Sequence, residues 1–301
     1  MILSLRSYNH EKELHGVLSL IASAFAFSLM TVCVKKLEGR IPIAELIVVR
    51  AIVSLVITRF MLRKAGISPW GKNRKLLFIR GLLGTGALFC IFQSLAFLPL
   101  STATIIQYTY PTFTALFAFL FLNEKLRKRI LLSVILGWIG IRLVVIPANF
   151  NGKAMAIPLF AICIALTGAI LTAIAYVLVR KLSQSEHKLV IIYYFPLVSI
   201  PTSLPFLTNN FVIPNGIEWL WLLGIGLFTQ LGQIYITKGL SFLPAGHASS
   251  INYSQVIFST IWGVILFSEQ LTPYIFLGSL CVLAATLISL SAKGELDLKR
   301  S

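Results

Sequence analysis

Residues 95–126, LAFLPLSTATIIQYTYPTFTALFAFLFLNEKL, have a counterpart in residues 240–271, LSFLPAGHASSINYSQVIFSTIWGVILFSEQL. The two stretches align without a gap at a single offset, since 240 − 95 = 145. At this offset Pro99, Tyr108 and Glu124 coincide with a proline, a tyrosine and a glutamate of the second stretch. Three such residues in one register indicate an internal repeat rather than chance agreement among apolar letters.

The composition predicts that this repeat lies in a membrane. Of the 301 residues, 57% are hydrophobic and only 12% are charged. Soluble domains contain about 45–50% apolar and about 25% charged residues, so this chain lacks the charge that a water-facing surface needs. The pattern also lacks the alternating segments of a β-barrel. The sequence therefore predicts an all-α integral membrane protein.

Hydrophobic runs long enough to cross a bilayer occur ten times. A spanning helix needs about 20 mostly apolar residues. The predicted spans, numbered one to ten, are 14–36, 42–62, 76–98, 101–122, 130–147, 154–180, 189–208, 217–238, 246–267 and 273–292. They form two five-helix units, at 14–147 and 154–292, with polar tails at 1–13 and 293–301.

The repeat relates span four to span nine, five spans later in the chain. Five is an odd number, so the two units cross the membrane in opposite directions. The loops that follow agree, because residues 123–129 contain four basic residues and residues 268–273 contain none. Inverted repeats are typical of secondary transporters, which bind their substrate near the midplane between the two units.

Lysine and arginine residues are distributed unequally between the two sides. With the N-terminus inside, the outer loops contain only Lys35, Lys36, Arg40 and Lys153. Positive residues stay on the cytoplasmic side during insertion, so both tails are predicted to be cytoplasmic. Basic loops against anionic headgroups also explain the net charge of +16 without nucleic acid. The compact loops favour a bacterial cytoplasmic membrane, and a eukaryotic organelle stays open.

Several further motifs are shared with one transporter family. They are Pro42 with Glu45 and Arg50, residues 80–84, residues 98–103, Tyr108 with Pro111, residues 123–126, residues 243–245 and residues 268–271. In these residues the chain resembles the drug/metabolite transporter superfamily of the EamA type. The resemblance implies a ten-helix carrier made of two five-helix halves, and it favours export. It leaves the substrate open among amino acids, nucleosides, S-adenosylmethionine and unrelated solutes.

Two ionisable residues lie in span two. Arg50 lies about eight residues into this span, which places it roughly 12 Å from the outer end. Its guanidinium can hold a carboxylate or phosphate in a two-pronged contact, and the alternative is a structural ion pair or a cap on helix carbonyls. Glu45 lies nearer the outer interface, where solvent is expected to reach it. It is the candidate for proton coupling.

Amide and phenol side chains supply the other candidates for substrate binding. They can hydrogen-bond a polar solute, and they can equally join helices to one another. The candidates are Gln93, Gln107, Tyr108, Gln230, Gln233, Asn252 and Tyr253. Arg80 is expected to anchor the cytoplasmic end of span three, and Tyr176 is expected to pack. Pro111 interrupts span four and is expected to provide a hinge or free carbonyls.

No motif in the sequence indicates catalysis or a cofactor. The four histidines and four cysteines show no metal-ligand spacing. No complete phosphate loop of the GxxxxGK[ST] type is present, because the GxxxxGK of residues 66–72 is followed by Asn73. We therefore expect a secondary carrier that moves a small polar metabolite, an amino acid or related compound, by alternating access. A polytopic membrane enzyme and a non-transporting scaffold are the alternatives. The carrier is expected to be a monomer or a homodimer.

Overall fold

The computed structural model describes residues 2–37, 39–98, 103, 106–124, 128–145, 158–207, 211–267 and 273–291. Every regular element within these residues is helical. The helices are α1 (Ile2–Lys36), α2 (Ile43–Lys64), α3 (Arg74–Phe97), α4 (Tyr110–Leu122), α5 (Lys128–Val145), α6 (Leu159–Leu182), α7 (Lys188–Ser203), α8 (Glu218–Phe242), α9 (Ala245–Ile251), α10 (Ser254–Phe267) and α11 (Pro273–Ser291). A single 3₁₀ turn, Leu204–Phe206, extends α7.

The length and composition of these helices fit a bilayer. Six described segments are long and apolar enough to cross it: α1 from Glu13 onward, α3, α6, α7 with its 3₁₀ turn, α8, and α9 together with α10. α2 also has the length, at 22 residues, but it contains Glu45 and Arg50. Large apolar side chains such as Phe60 and Phe121 point outward, 68% and 65% exposed. Apolar surface of this kind needs lipid around it.

The two halves of the chain contain equivalent helices at the offset read from the sequence. Adding 145 to the ends of α3 gives 219–242, and α8 spans Glu218–Phe242. The same shift takes α4 to 255–267, which overlaps α10, and takes α5 to 273–290, which overlaps α11. The protein is therefore a ten-span membrane fold of two five-helix repeats, in which α9 and α10 together form the ninth span.

Packing between the halves follows a pseudo-two-fold axis. α1 packs on α8, and the equivalent of α1, which is α6, packs on α3. α2 packs on α7, and α5 packs on α11, so each of these helices contacts its own equivalent. Inverted repeats that pack in this way enclose an interior to which both halves contribute.

The Leu-Pro pairs at 98–99 and 243–244 end one helix in each half. Leu98 follows α3 with φ −121° and ψ 148°, and Leu243 follows α8 with φ −114° and ψ 151°. A proline disfavours the helical conformation in the residue before it, because its ring meets that residue's backbone. The motif that identifies the repeat therefore also determines where spans three and eight end.

Two features of the chain differ from the sequence-based expectation. Within the described residues α1 begins at Ile2, so residues 2–13 of the predicted polar tail continue the first helix, because a helix that leaves the bilayer keeps its internal hydrogen bonds. Span nine is interrupted like span four, although only span four contains a proline that predicts an interruption. Parts of the predicted spans, loops and C-terminal tail lie outside the described residues, namely 99–102, 104–105, 125–127, 146–157, 208–210, 268–272 and 292–301.

Candidate functional site

The fourth and ninth spans break at equivalent places. In the first half the chain turns at Tyr108 and Thr109 before α4 begins at Tyr110. In the second half it turns at Asn252 and Tyr253, between α9 and α10. Two breaks related by the repeat place irregular backbone from both halves in the interior of the bundle.

Pro111 explains the first break and not the second. Proline has no N–H, so the carbonyl of Gln107 loses the donor four residues further on. The equivalent of Pro111 is Val256, whose N–H donates to the Tyr253 carbonyl, three residues back, at 2.9 Å. Both breaks therefore depart from the α-helical pattern of hydrogen bonds. Irregular backbone at membrane depth is tolerated where it is buried in protein or lines a cavity.

A cavity lies between the halves, beside both breaks. Its volume is about 100 Å³. Its walls come from α1, α3, α6, α7, α8 and the two broken spans. The lining residues that matter most for its chemistry are Arg80, Gln107, Tyr108, Tyr176, Phe195 and Gln233.

Repeat-related positions line opposite sides of this cavity. The contributions of α1 and α6 are the same three positions shifted by 145, namely Phe27, Met30 and Thr31 with Thr172, Ala175 and Tyr176. Leu88 of α3 and Gln233 of α8 are a further equivalent pair in the lining. The cavity therefore lies on the pseudo-two-fold axis. The repeat determines its shape, and differences between equivalent residues determine its chemistry.

Arg80 brings a positive charge to the cavity wall. Its side chain is 3% exposed, and its Nη2 donates to Oε1 of Gln233 at 3.0 Å. Its Nε and Nη1 are buried without a hydrogen-bond partner within the described part of the chain. The salt bridges found in that part join other residues. A buried cation without a counter-charge is costly in a membrane, so Arg80 is the strongest candidate for contact with an anionic ligand.

Tyrosine rings form another part of the wall. The ring centroids of Tyr108 and Tyr110 are 5.6 Å apart, and those of Tyr110 and Tyr176 are 5.3 Å apart in an edge-to-face arrangement. All three rings line the cavity. Phenol rings accept an apolar or planar part of a ligand and also offer hydrogen bonds. The cavity thus combines a cation with an aromatic wall.

Three of the predicted substrate-binding residues line the cavity, namely Gln107, Tyr108 and Gln233. Arg50 is not part of the lining. Its Cζ nevertheless lies 4.9 Å from the ring centroid of Phe195, and Phe195 does line the cavity. The structure therefore places four predicted residues in or beside one site. Their roles in substrate binding stay predictions.

Gln230 lies in a hydrogen-bonded contact between α8 and α2. Its Oε1 accepts from the Ser54 hydroxyl, and its Nε2 donates to Oγ1 of Thr58 at 2.8 Å. The side chain is 2% exposed and is not part of the cavity lining. These contacts match the alternative in which a polar residue joins two helices.

The remaining polar candidates also lie outside the lining. Tyr253 is completely buried, with its ring against Gly137 of α5, where a Cβ would come within 2.7 Å of the tyrosine Cζ. Asn252 is buried next to it in the break of span nine. Gln93 is half-buried on α3. A structural role for Tyr253 follows from its packing, because only a glycine at 137 leaves room for the ring.

Glu45 is buried, so the expectation that solvent reaches it is wrong. Its exposed fraction is 2%, and its Oε2 accepts from the Val212 N–H at 3.2 Å. The segment before α8 therefore folds over the beginning of α2 and covers the carboxylate. Glu45 lies outside the cavity lining, and its role in coupling stays a prediction.

The sequence-based assignment of Arg80 and Tyr176 is wrong in position. Arg80 is 3% exposed and lines the cavity, nearly two turns beyond the beginning of α3 at Arg74, so its side chain is not a solvent-facing anchor. Tyr176 lines the cavity rather than only packing. The sequence contained a signal for Arg80, since Arg74 and Lys75 already supply surface anchors at the beginning of this helix.

The geometry defines a class of protein. A cavity on the axis of two inverted repeats, within an apolar helical bundle, is the architecture of a membrane transporter for a small metabolite. A family comparison agrees over nearly the whole chain, because residues 14–146 and 159–291 each match the EamA-like transporter family. The chain belongs to the EamA-like transporter family, within the drug/metabolite transporters.

Sequence similarity to individual relatives extends over most of their length. The pseudopaline exporter CntI of Pseudomonas aeruginosa is 30% identical over 281 residues, covering 93% of this chain and 97% of the relative. Human solute carrier family 35 member G1 is 30% identical over 283 residues, covering 90% of this chain and 77% of the relative. A solved crystal structure superposes with a TM-score of 0.74 at 17% identity, covering 96% and 99% of the two chains. That similarity supports the fold alone.

Proposed function

We propose that this protein is a secondary carrier that exports a small metabolite bearing a carboxylate, an amino acid or a related compound. The observation that carries the proposal is Arg80, a buried guanidinium on the cavity wall whose Nε and Nη1 are both unpartnered within the described residues. A carboxylate supplies both the counter-charge and two acceptor oxygens. Gln233 holds the guanidinium in place, and the tyrosines accept the rest of the metabolite.

Alternating access is the proposed mechanism. The cavity follows α3 from Arg80 to Leu95, a rise of roughly 22 Å, which extends away from the cytoplasmic end predicted for this helix. A smaller cavity shares Leu95 and continues to Gly39 and Ile41 beyond α1. On the predicted cytoplasmic side, Glu124 and Arg180 connect the two halves at 3.3 Å. These features support a conformation that is closed toward the cytoplasm.

The proposed location is the bacterial cytoplasmic membrane, with both ends of the chain in the cytoplasm. The support is the distribution of basic residues together with a bacterial relative that is named an exporter. Reporter tags at the two ends test the orientation. An end that faces the outer side would contradict it.

Counterflow in proteoliposomes tests the function. The probes are radiolabelled amino acids, each compared with its α-amide, which lacks the carboxylate. We expect the acids and not the amides to be exchanged, and we expect Arg80→Gln to lower exchange at least about tenfold because a charge-assisted contact is lost. Arg74→Gln, at an exposed position of the same helix, is the matched control and leaves exchange unchanged.

Two results would contradict this proposal. Equal exchange of acids and amides would remove the carboxylate from the recognition, and unchanged exchange in Arg80→Gln would remove Arg80. Binding of the acids without any exchange would favour a scaffold. For the direction of transport, ATP-independent accumulation in inside-out vesicles is expected, and accumulation only in right-side-out vesicles would indicate import.

A further inference from the structure

The Phe195 ring lies against two guanidinium groups. The Cζ atom of Arg80 is 4.5 Å from the ring centroid, and that of Arg50 is 4.9 Å away. Both arginine side chains are 3% exposed. The face of a phenyl ring attracts a cation, but a single ring does not neutralise two like charges buried close together.

The hydrogen-bond donors of these arginines are incompletely used. Of the five N–H donors in each guanidinium, Arg80 directs one nitrogen, Nη2, to Gln233. Nε of both arginines and Nη1 of Arg80 are buried without a partner among the residues that the structure describes. The ion pairs in the same part of the chain involve neither arginine. The site therefore has an excess of buried positive charge and of donors, and it lacks acceptors.

The repeat shows that the fold itself does not require these charges. The equivalent of Arg50 is Phe195, and the equivalent of Arg80 is Ile225, so neither charge recurs in the second half. The ion pair of Glu124 and Arg180 contrasts with this, because its equivalents, Glu269 and Lys35, have the same charges. A charge that a five-helix unit needed in order to pack would be expected in both units.

We propose that the cavity takes a metabolite with two acidic groups, one bound by Arg80 and the second by Arg50. The proposal rests on the proposed function, in which Arg80 binds a carboxylate, and it adds the second charge. Phe195 lines the cavity and Arg50 does not, so the ring separates Arg50 from the open space. The second acidic group reaches Arg50 when this ring turns aside.

The environment of Phe195 favours such a role. Gly84 of α3 lies against the ring, and a Cβ there would come within 2.7 Å of the phenyl Cε2 and 3.4 Å of Nη1 of Arg80. The missing side chain leaves this space to the ring and the guanidinium. Phe195 therefore separates two anion-binding groups, and substrates with one and with two acidic groups are distinguished at this residue.

Matched probes test the second charge. L-Glutamate is compared with L-glutamine, and the dipeptide Asp-Phe with Asn-Phe, so that each pair differs by one acidic group. The measurement is the thermal unfolding midpoint of the full-length protein in detergent, since a ligand that binds only the folded form raises it. We expect the larger rise from the di-acidic member of each pair. Arg50→Gln is expected to reduce it to the mono-acidic level, at least about tenfold weaker binding.

Further variants separate the outcomes. Arg80→Gln is expected to remove the response to both members of a pair, and Arg63→Gln, exposed on the same helix as Arg50, to remove neither. Arg50→Lys keeps the charge without the planar fork, and it is expected to retain part of the difference if Arg50→Gln does not fold. If the two members of a pair shift the unfolding midpoint of the unmodified protein equally, or not at all, the proposal of a second acidic group is contradicted. An Arg50 variant that weakens the binding of both members of a pair equally would also contradict the second acidic group. If instead Arg80→Gln keeps both responses, the proposed function itself fails.

Discussion

Gln233 holds Arg80 in place as a neutral partner, and this neutrality leaves the charge of Arg80 available. Gln233→Glu would place a carboxylate at hydrogen-bond distance from the guanidinium. A charge-assisted contact is stronger than a neutral one, so we expect the free energy of unfolding to rise by about 1–3 kcal/mol. The same carboxylate would occupy Arg80 and repel an acidic substrate. Transport is therefore expected to fall while stability rises.

The matched control for this variant is Gln230→Glu, three residues earlier on α8. Gln230 contacts Ser54 and Thr58, and a carboxylate there has no cation with which to pair in that contact. It is therefore expected to lower stability. Thermal unfolding and counterflow are measured for both variants. A Gln233→Glu protein that transports normally would contradict the role of Arg80.

Glu45 offers a separate prediction about coupling. It lies outside the cavity, and its carboxylate accepts the Val212 N–H. If Glu45 carries the coupled proton, Glu45→Gln keeps an acceptor for this N–H and abolishes the response of transport to a pH gradient. Counterflow without a gradient is expected to stay close to normal. Uptake that still follows the pH gradient would show that another group carries the proton.

A residue of the site could be predicted from the sequence only where both the chemistry of its side chain and its depth in the membrane indicate a place at the cavity. Arg50 was identified because a charge in an apolar run is costly, and it does lie next to the cavity wall through Phe195. The sequence places Arg80 near the beginning of its span and favours a surface anchor, because the direction in which the side chain faces cannot be read from the sequence. Gln230 and Gln233 are three residues apart on one helix, yet they have different neighbours that only the packing reveals.

At the level of helices, the breaks in spans four and nine determine where polar backbone meets the cavity. Pro111→Ala would restore an N–H opposite the carbonyl of Gln107 and permit a continuous helix. We expect unchanged or higher thermal stability and slower transport, by roughly threefold to tenfold, because the break is part of the moving region. The measurements are thermal unfolding and initial counterflow rates.

Val256→Ala is the matched control at the equivalent position of the second half. It shortens a side chain without changing the number of N–H groups, so it is expected to affect the rate far less. A Pro111→Ala protein with a normal rate would show that the break in span four is only a packing feature.

The ends of the helices were more predictable than their interruptions. Charged loops and Leu-Pro pairs mark the ends in the sequence, and a single offset of 145 relates α3 to α8 within a residue. The break in span nine has no proline, and Val256 is an ordinary helical or strand residue in isolation. The sequence around Val256 therefore gives no local signal for this break, and only its equivalence to span four could have suggested it.

In the whole molecule, symmetry of shape is combined with asymmetry of charge. The same three positions of α1 and α6 line the cavity, but one set includes Tyr176 and the other Thr31. Arg50 and Arg80 come from the first half alone. A symmetric scaffold lets two halves exchange conformations, and an asymmetric lining lets one site keep the same ligand chemistry in both conformations.

The exchange between two conformations needs contacts that close one side of the cavity at a time. The Glu124–Arg180 pair lies where it can close the side predicted to be cytoplasmic. Oε2 of Glu124 accepts the Ala245 N–H at 2.9 Å, and Nη1 of Arg180 donates to the carbonyls of Leu240 at 3.0 Å and Ser241 at 3.2 Å. Glu124 belongs to the first half and the other groups to the second. This cluster therefore joins the halves at the side predicted to be cytoplasmic.

Arg180→Ala is expected to open that side more often. The opening is measured in a protein whose four native cysteines are replaced and whose single cysteine is introduced at the cavity position Thr172. An impermeant maleimide added on the cytoplasmic side labels this cysteine when the side is open. We expect the labelling rate to rise roughly fivefold or more, as for the loss of a coupling contact between two states.

Lys181→Ala, exposed on the same helix, should leave the rate unchanged. Lys35→Ala, at the equivalent position in the first half, should increase labelling from the outer side instead. Acceleration from the same side by both Arg180→Ala and Lys35→Ala would contradict an exchange between inverted halves.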